Sequence, residues 1–182
     1  MLPSGMCFDR NKACSIIFIS VNTLRSVIIV FSAFSSVISQ PAPCPHGWVN
    51  RGRLCYAFIT DKPDGRTEAE SFCNLLHSQL VEIETVVEDE FLRVHLMDNK
   101  LTGAFWIGMT DILVEGEWVW MSAQTTPHYT NWWPGQPDNY HAEDCASLDS
   151  GYSFKWNDAP CLSKINFICE KESSHGEENV IG

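Results

Sequence analysis

Trp106-Ile107-Gly108-Met109, Trp118-Val119-Trp120 and Trp156-Asn157-Asp158 are three short aromatic runs that together decide how this chain folds. Large side chains at alternating positions suit a half-buried strand, whose successive residues point to opposite faces. Working outward, the same texture extends to Phe105 and Glu117 ahead of the first two runs and to Phe154-Lys155 ahead of the third. It recurs in Asp144-Cys145-Ala146-Ser147-Leu148 and Ile165-Asn166-Phe167-Ile168-Cys169. Each segment reads as a strand. Trp106, Trp118, Trp120 and Trp156 are expected in the core these strands enclose. Of Trp132 and Trp133, one is expected to plug a small core within the loop that carries them.

Upstream, the apolar period changes from two to that of a helix. Thr67-Glu68-Ala69-Glu70 has the form of a capping box opening a helix that runs to about Leu76. Thr85-Val86-Val87-Glu88 repeats it, and Val87, Phe91 and Val94 with Leu92 and Leu96 continue at helical spacing to a stop at Asp98-Asn99. Trp48 and Cys55-Tyr56-Ala57-Phe58-Ile59-Thr60 read as opening strands. Helices early and strands late predict an α+β domain, two helices flanking small antiparallel sheets, rather than a parallel βαβ sheet. Between Met121 and Ala142 lies a Pro-, Asn-, Gln- and Trp-rich stretch without period. Loops of that length in compact domains usually carry function.

The 182 residues suit one domain and a leader. Arg10, Lys12 and Arg25 precede the apolar stretch Ser26 to Ser39, the order of a signal peptide over 1–39 cut after Ser39, with Met6 as an alternative start. A retained anchor is the rival, because Cys14 to Val21 is also apolar. Asn22 and Arg25 interrupt the ~20 apolar residues a span needs, so no span is expected in the mature form. Residues 40–43 then form a lead-in, 44–171 the domain and 172–182 an acidic flexible tail.

Cleavage would leave Cys44, Cys55, Cys73, Cys145, Cys161 and Cys169, an even set that predicts three bridges in an oxidising compartment. Spacing favours Cys44 with Cys55 and leaves the other pairings open. No Cys-x-x-Cys pair or finger-spaced His supports zinc. No Asn-x-Ser/Thr sequon is present.

A formal charge of -11 without a Lys/Arg cluster argues against a nucleic-acid partner. Acidity serves solubility or cation binding, and position separates the two. Gln136, Asp138, Asn139, Glu143 and Asp144 gather oxygen donors in and just after the long loop, and Asn157 and Asp158 add more. Oxygen donors free of His and Cys suit Ca2+, which takes six to eight oxygens at ~2.3–2.6 Å. Pro137 stands between two of them, where a cis Gln136-Pro137 bond would turn both neighbours toward one point. His141 beside them reads as surface, or as a sugar contact sensitive to pH. No enzyme is expected, since no Gly-x-Ser-x-Gly elbow, His-Glu-x-x-His or phosphate loop occurs.

Over about Cys44 to Lys171 the chain resembles the C-type lectin-like domain. Trp106-Ile107-Gly108-Met109 is similar to that family's core strand, Trp118-Val119-Trp120 to its next aromatic strand, Trp156-Asn157-Asp158 to its calcium strand, and Gln136-Pro137-Asp138 to its galactose-type triplet. The resemblance implies the C-type lectin-like fold with a long calcium-binding loop, and the bridges Cys73–Cys169 and Cys145–Cys161, with Cys44–Cys55 marking the long form. It implies a principal calcium site of Gln136, Asp138, Glu143, Asn157 and Asp158, and an auxiliary one of Asp111, Glu115, Asn139 and Asp144. The principal residues would also bind galactose or N-acetylgalactosamine, with Tyr140 stacking on the sugar. The short Asn139-Tyr140-His141-Ala142 segment lacks the Gly-rich insertion of highly selective galactose receptors, which implies looser discrimination. Implied partners are galactose-type glycans on cell surfaces or glycoproteins. The implied role is glycan recognition or innate immunity, carried out by a secreted homodimer or higher oligomer. The alternative is a lectin-like domain that binds a protein and no sugar.

Overall fold

In the computed structural model of the chain, residues 44–173 are described. The expected signal peptide or anchor, the lead-in and residues 174–182 of the expected tail lie outside them. Among the described residues no helix is long and apolar enough to cross a membrane.

The order of elements is β1 (Val49–Arg51), β2 (Leu54–Asp64), α1 (Arg66–Leu75), β3 (Gln79–Leu80), α2 (Val86–Asp98), β4 (Ala104–Thr110), β5 (Val119–Trp120), β6 (Cys145–Asp149), β7 (Lys155–Ala159) and β8 (Ile165–Glu172). Two helices and late strands make the α+β, C-type lectin-like architecture that the sequence predicts. The strands run in the order β1-β2-β8-β4-β6-β7, with β3 on β8 and β5 on β4. One pairing departs from the antiparallel expectation: β4 lies parallel to β8, Phe105 opposite Asn166 and Trp106 opposite Phe167. The small sheets are therefore joined into one mixed sheet. A parallel contact needs a long crossover, and the whole segment between β4 and β8 supplies it.

β4 sits mid-sheet and is buried on both faces. Phe105, Ile107 and Met109 enter one core cluster with Leu92, Leu96, Trp120, Leu148 and Trp156. Trp106 enters a second with Ala69, Leu80, Phe167 and Cys169. Gly108 is required by a close approach, since a Cβ there would lie 3.0 Å from the Leu80 carbonyl oxygen and 3.2 Å from that of Val81. Its N–H donates to Val81 O at 2.7 Å.

Helix α2 starts as predicted. The Thr85 hydroxyl accepts from Glu88 N at 3.2 Å, and the Glu88 carboxylate reaches back to accept from Glu84 N. The Thr67–Glu70 capping box does not form. Gly65 is the N-cap and has no side chain to offer, Thr67 falls inside the first turn, and Glu70 pairs with the buried Arg66 at 3.0 Å. The apolar stripe of α2 is also rotated from expectation. Asp89, Leu92 and Leu96 are buried, while Val87 and Val94 face solvent.

Cys44–Cys55, Cys73–Cys169 and Cys145–Cys161 are all bonded. Closing loops of 96 and 16 residues, the latter two contribute about 4–5 and about 3 kcal/mol in the chain-entropy account. β8 continues through Glu172, and Ser173 N donates to Arg53 O at 2.7 Å.

Candidate functional site

Strand alternation aims the donors of β7. Trp156 and Asp158 point into the protein and Asn157 lies on the opposite, half-buried face. Asp158 Oδ2 accepts from the backbone N–H of Asp138 at 3.0 Å and of Asn139 at 2.7 Å, which fastens the loop to the strand. Its Oδ1 is buried with no partner, and so is Gln136 Oε1. Buried oxygens are rarely left unpaired. Two such orphans in one cradle mark a place built for something else to fill.

The Gln136-Pro137 bond is cis, as the sequence predicts. Gln136 Nε2 donates to Asp138 Oδ2 at 3.4 Å, and Asp138 Oδ1 accepts from Tyr140 N at 3.1 Å. Asn139 Oδ1 accepts from Glu143 N at 2.9 Å, folding the short turn back on itself. Asn157 Nδ2 donates to the carbonyl of Asp158. Carboxylate oxygens of Asp138, Glu143 and Asp158 all lie within 4.8 Å of one another.

Three converging acids repel one another. Burial, then the charges of Asp158 and Asp138, push the Glu143 carboxyl up to about 7. Asp158 is raised by burial, partly offset by the N–H groups it accepts from and raised again by Asp138.

The expected auxiliary residues are close but less tightly drawn. Asp111 Oδ1 is buried and unpaired, and Oδ2 accepts from Gly116 N at 2.9 Å. Burial raises the Asp111 carboxyl, and Asp144 and Asp158 add to it. Glu115 is exposed, and Asn139 has its side-chain oxygen committed to Glu143 N. Tyr140 is 65% exposed, its ring edge-on to His141 at 3.9 Å. Trp132 is the ring that plugs the loop core, against Trp118 at 4.8 Å and Trp156 at 5.8 Å, whereas Trp133 stays outside it.

One positioning residue escaped the sequence reading. Asp89 on α2 is 1% exposed. It accepts from Trp156 Nε1 and from Asn131 Nδ2, each at 2.7 Å. Burial together with the charge and hydrogen bond of Asp89 pushes the Tyr129 hydroxyl up to about 12. Asn131 O accepts from Trp156 N at 3.0 Å, so this carboxylate pins the middle of the long loop to the strand that carries Asn157 and Asp158.

Mixed sheet, three bridges and a loop of converging oxygens define a C-type lectin-like domain. The chain belongs to the C-type lectin family, the Lectin C-type domain profile matching residues 63–171. It is 40% identical over 132 residues to perlucin of Haliotis laevigata, covering 71% of this chain and 83% of perlucin. It is 34% identical over 157 residues to human asialoglycoprotein receptor 2, covering 81% of this chain and 47% of the receptor. Among solved structures, the mouse scavenger receptor C-type lectin carbohydrate-recognition domain superposes with a TM-score of 0.65 at 38% identity, covering 72% of this chain and 98% of that domain.

Proposed function

We propose that this chain is a secreted lectin that binds galactose-type glycans through a calcium ion. The observation that carries the reading is the cradle itself: carboxylate oxygens of Asp138, Glu143 and Asp158 within 4.8 Å of one another, with the unpaired buried oxygens Gln136 Oε1 and Asp158 Oδ1 beside them. A hard divalent cation satisfies such a set. Gln136, Asp138, Glu143, Asn157 and Asp158 would hold it, and Ca2+ would supply coordination positions for sugar hydroxyls. The same residues then serve the sugar directly, carboxylates accepting from hydroxyls and amides donating to them. Gln136 before the proline and Asp138 after it set which hydroxyl geometry fits, and galactose or N-acetylgalactosamine is the proposed choice. Tyr140, exposed and tethered through its N–H to Asp138, would stack on the apolar face of the sugar.

Asp111, Glu115, Asn139 and Asp144 form the proposed auxiliary site. A mandatory catalytic role for Glu143 or Asp158 does not fit the reading, because the ion would engage both. Single lectin sites are weak, so a homodimer or higher oligomer would supply avidity. Glycans on cell surfaces or glycoproteins, in innate recognition, are the proposed partners.

A glycan array run with and without calcium tests this, comparing the parent with a Gln136→Glu, Asp138→Asn double variant. The expected result is calcium-dependent galactoside binding that moves toward mannosides in the variant. Retention on galactose resin in excess chelator would overturn the metal mechanism. Glycan silence with retained protein binding would favour a protein-binding domain instead.

A further inference from the structure

Trp133 is large, apolar and left out of both core clusters, its neighbour Trp132 having taken the seat in the loop core. It remains 36% exposed, yet it is held firmly. Its N–H donates to Trp156 O and its carbonyl accepts from Gln136 N, each at 2.8 Å. Its ring stacks on Tyr152, with centroids 5.2 Å apart and planes 22° from parallel. Tyr152 in turn closes a short 3-10 turn, Ser150–Tyr152, fixed by the Asp149 side chain, which accepts from Gly151 N at 2.7 Å. Two rings ordered in this way lose little conformational freedom when a ligand covers them.

The bond from Gln136 N to Trp133 O closes a four-residue turn, which brings the two Cα atoms within ~7 Å of each other. Trp133 therefore lies on the same turn as the first residue of the calcium cradle, while Tyr152 supports it from the connection between β6 and β7. From this geometry we infer that Trp133, backed by Tyr152, is a second carbohydrate subsite that receives the apolar face of a saccharide ring further along the glycan whose terminal sugar sits at the cradle. The inference rests on the lectin reading of that cradle and extends it from a monosaccharide to an oligosaccharide. Neutral, uncharged rings are the chemistry it takes, because stacking on an aromatic face needs C–H groups and no counter-charge.

The test measures two probes on the full chain with calcium present: methyl β-galactoside, which fills the cradle alone, and the neutral tetrasaccharide lacto-N-neotetraose, which ends in galactose and extends beyond it. The parent is expected to bind the tetrasaccharide roughly 2- to 12-fold more tightly, the span of one aromatic contact. Trp133→Ala is expected to erase that advantage while leaving the monosaccharide affinity unchanged, and Trp133→Phe to restore part of it. Thermal unfolding of each variant reports whether the fold is kept. Equal affinity of the parent for both probes overturns the subsite while leaving the cradle reading intact. So does an equal loss of both probes in a folded Trp133→Ala protein. Absence of calcium-dependent binding of either probe to the parent overturns the cradle reading and the subsite with it.

Discussion

Removing the carboxylate of Asp89 should loosen the long loop from a distance. In Asp89→Ala, Trp156 Nε1 loses its partner at a fully buried position, and the half-buried Asn131 amide loses its own. A hydrogen bond to a charged group contributes about 1.5–3 kcal/mol. Water can reach Asn131 but not the indole, so the first loss counts in full and the second in part, giving about 3 kcal/mol. For a domain of this size that lowers Tm by about 10 °C. Asp89→Asn should fall between parent and Ala, because its amide oxygen can serve one donor while its NH2 faces the other. Urea and thermal unfolding in chelator measure the change free of metal linkage. A calcium titration then reads its effect on the cradle, where weaker binding is expected because Asn131 and Trp156 join loop to strand. Glu90→Ala, exposed on the same helix, is the control and should stay within about 0.5 kcal/mol of the parent. A comparably small change for Asp89→Ala would refute the clamp. So would additive effects of Asp89→Ala and Trp156→Phe, since residues sharing a hydrogen bond should couple.

Glu170 is 6% exposed on β8, and burial first, then the charges of Glu88 and Glu82, push its carboxyl up to about 8. The fold therefore holds a proton that the unfolded chain has released above about 4.5. Glu170 favours the fold fully below that pH and loses this contribution as pH rises through about 8. Glu170→Gln should flatten the decline across that window, and an unchanged slope in urea melts from pH 5 to 9 would count against it. Replacing Cys145 and Cys161 together by Ser should cost about 3 kcal/mol in urea unfolding, and a loss below about 1 kcal/mol would show that the loop entropy is recovered elsewhere.

Alternating aromatics made β4, β5 and β7 readable, because a strand's period survives in the letters. The Thr85 cap was readable for the same reason: its reciprocal bonds are local. Thr67 carried an equally good local signal, but Arg66 is buried against β4, donating to Gly108 O at 3.2 Å, and the helix starts at that residue. Asp89 was hidden because an acid on an amphipathic helix looks like its polar face. Only the folded chain shows Trp156 and Asn131 converging on it. The parallel β4–β8 contact was likewise invisible, since strand direction is set by chain topology and not by any residue's preference. At the site, the oxygen donors stood out by composition, whereas the choice between Trp132 and Trp133 depended on which ring the loop turns inward.

Asp158 divides its labour between its two oxygens. One is fastened to backbone N–H groups at positions 138 and 139, and those groups are present for every residue except proline. This part of the loop's anchoring is thus indifferent to the letters proposed to read a ligand. Other oxygen-bearing residues in place of Gln136 and Asp138 would keep these two backbone bonds, so the positions proposed to choose the sugar can vary while the loop stays fastened to β7.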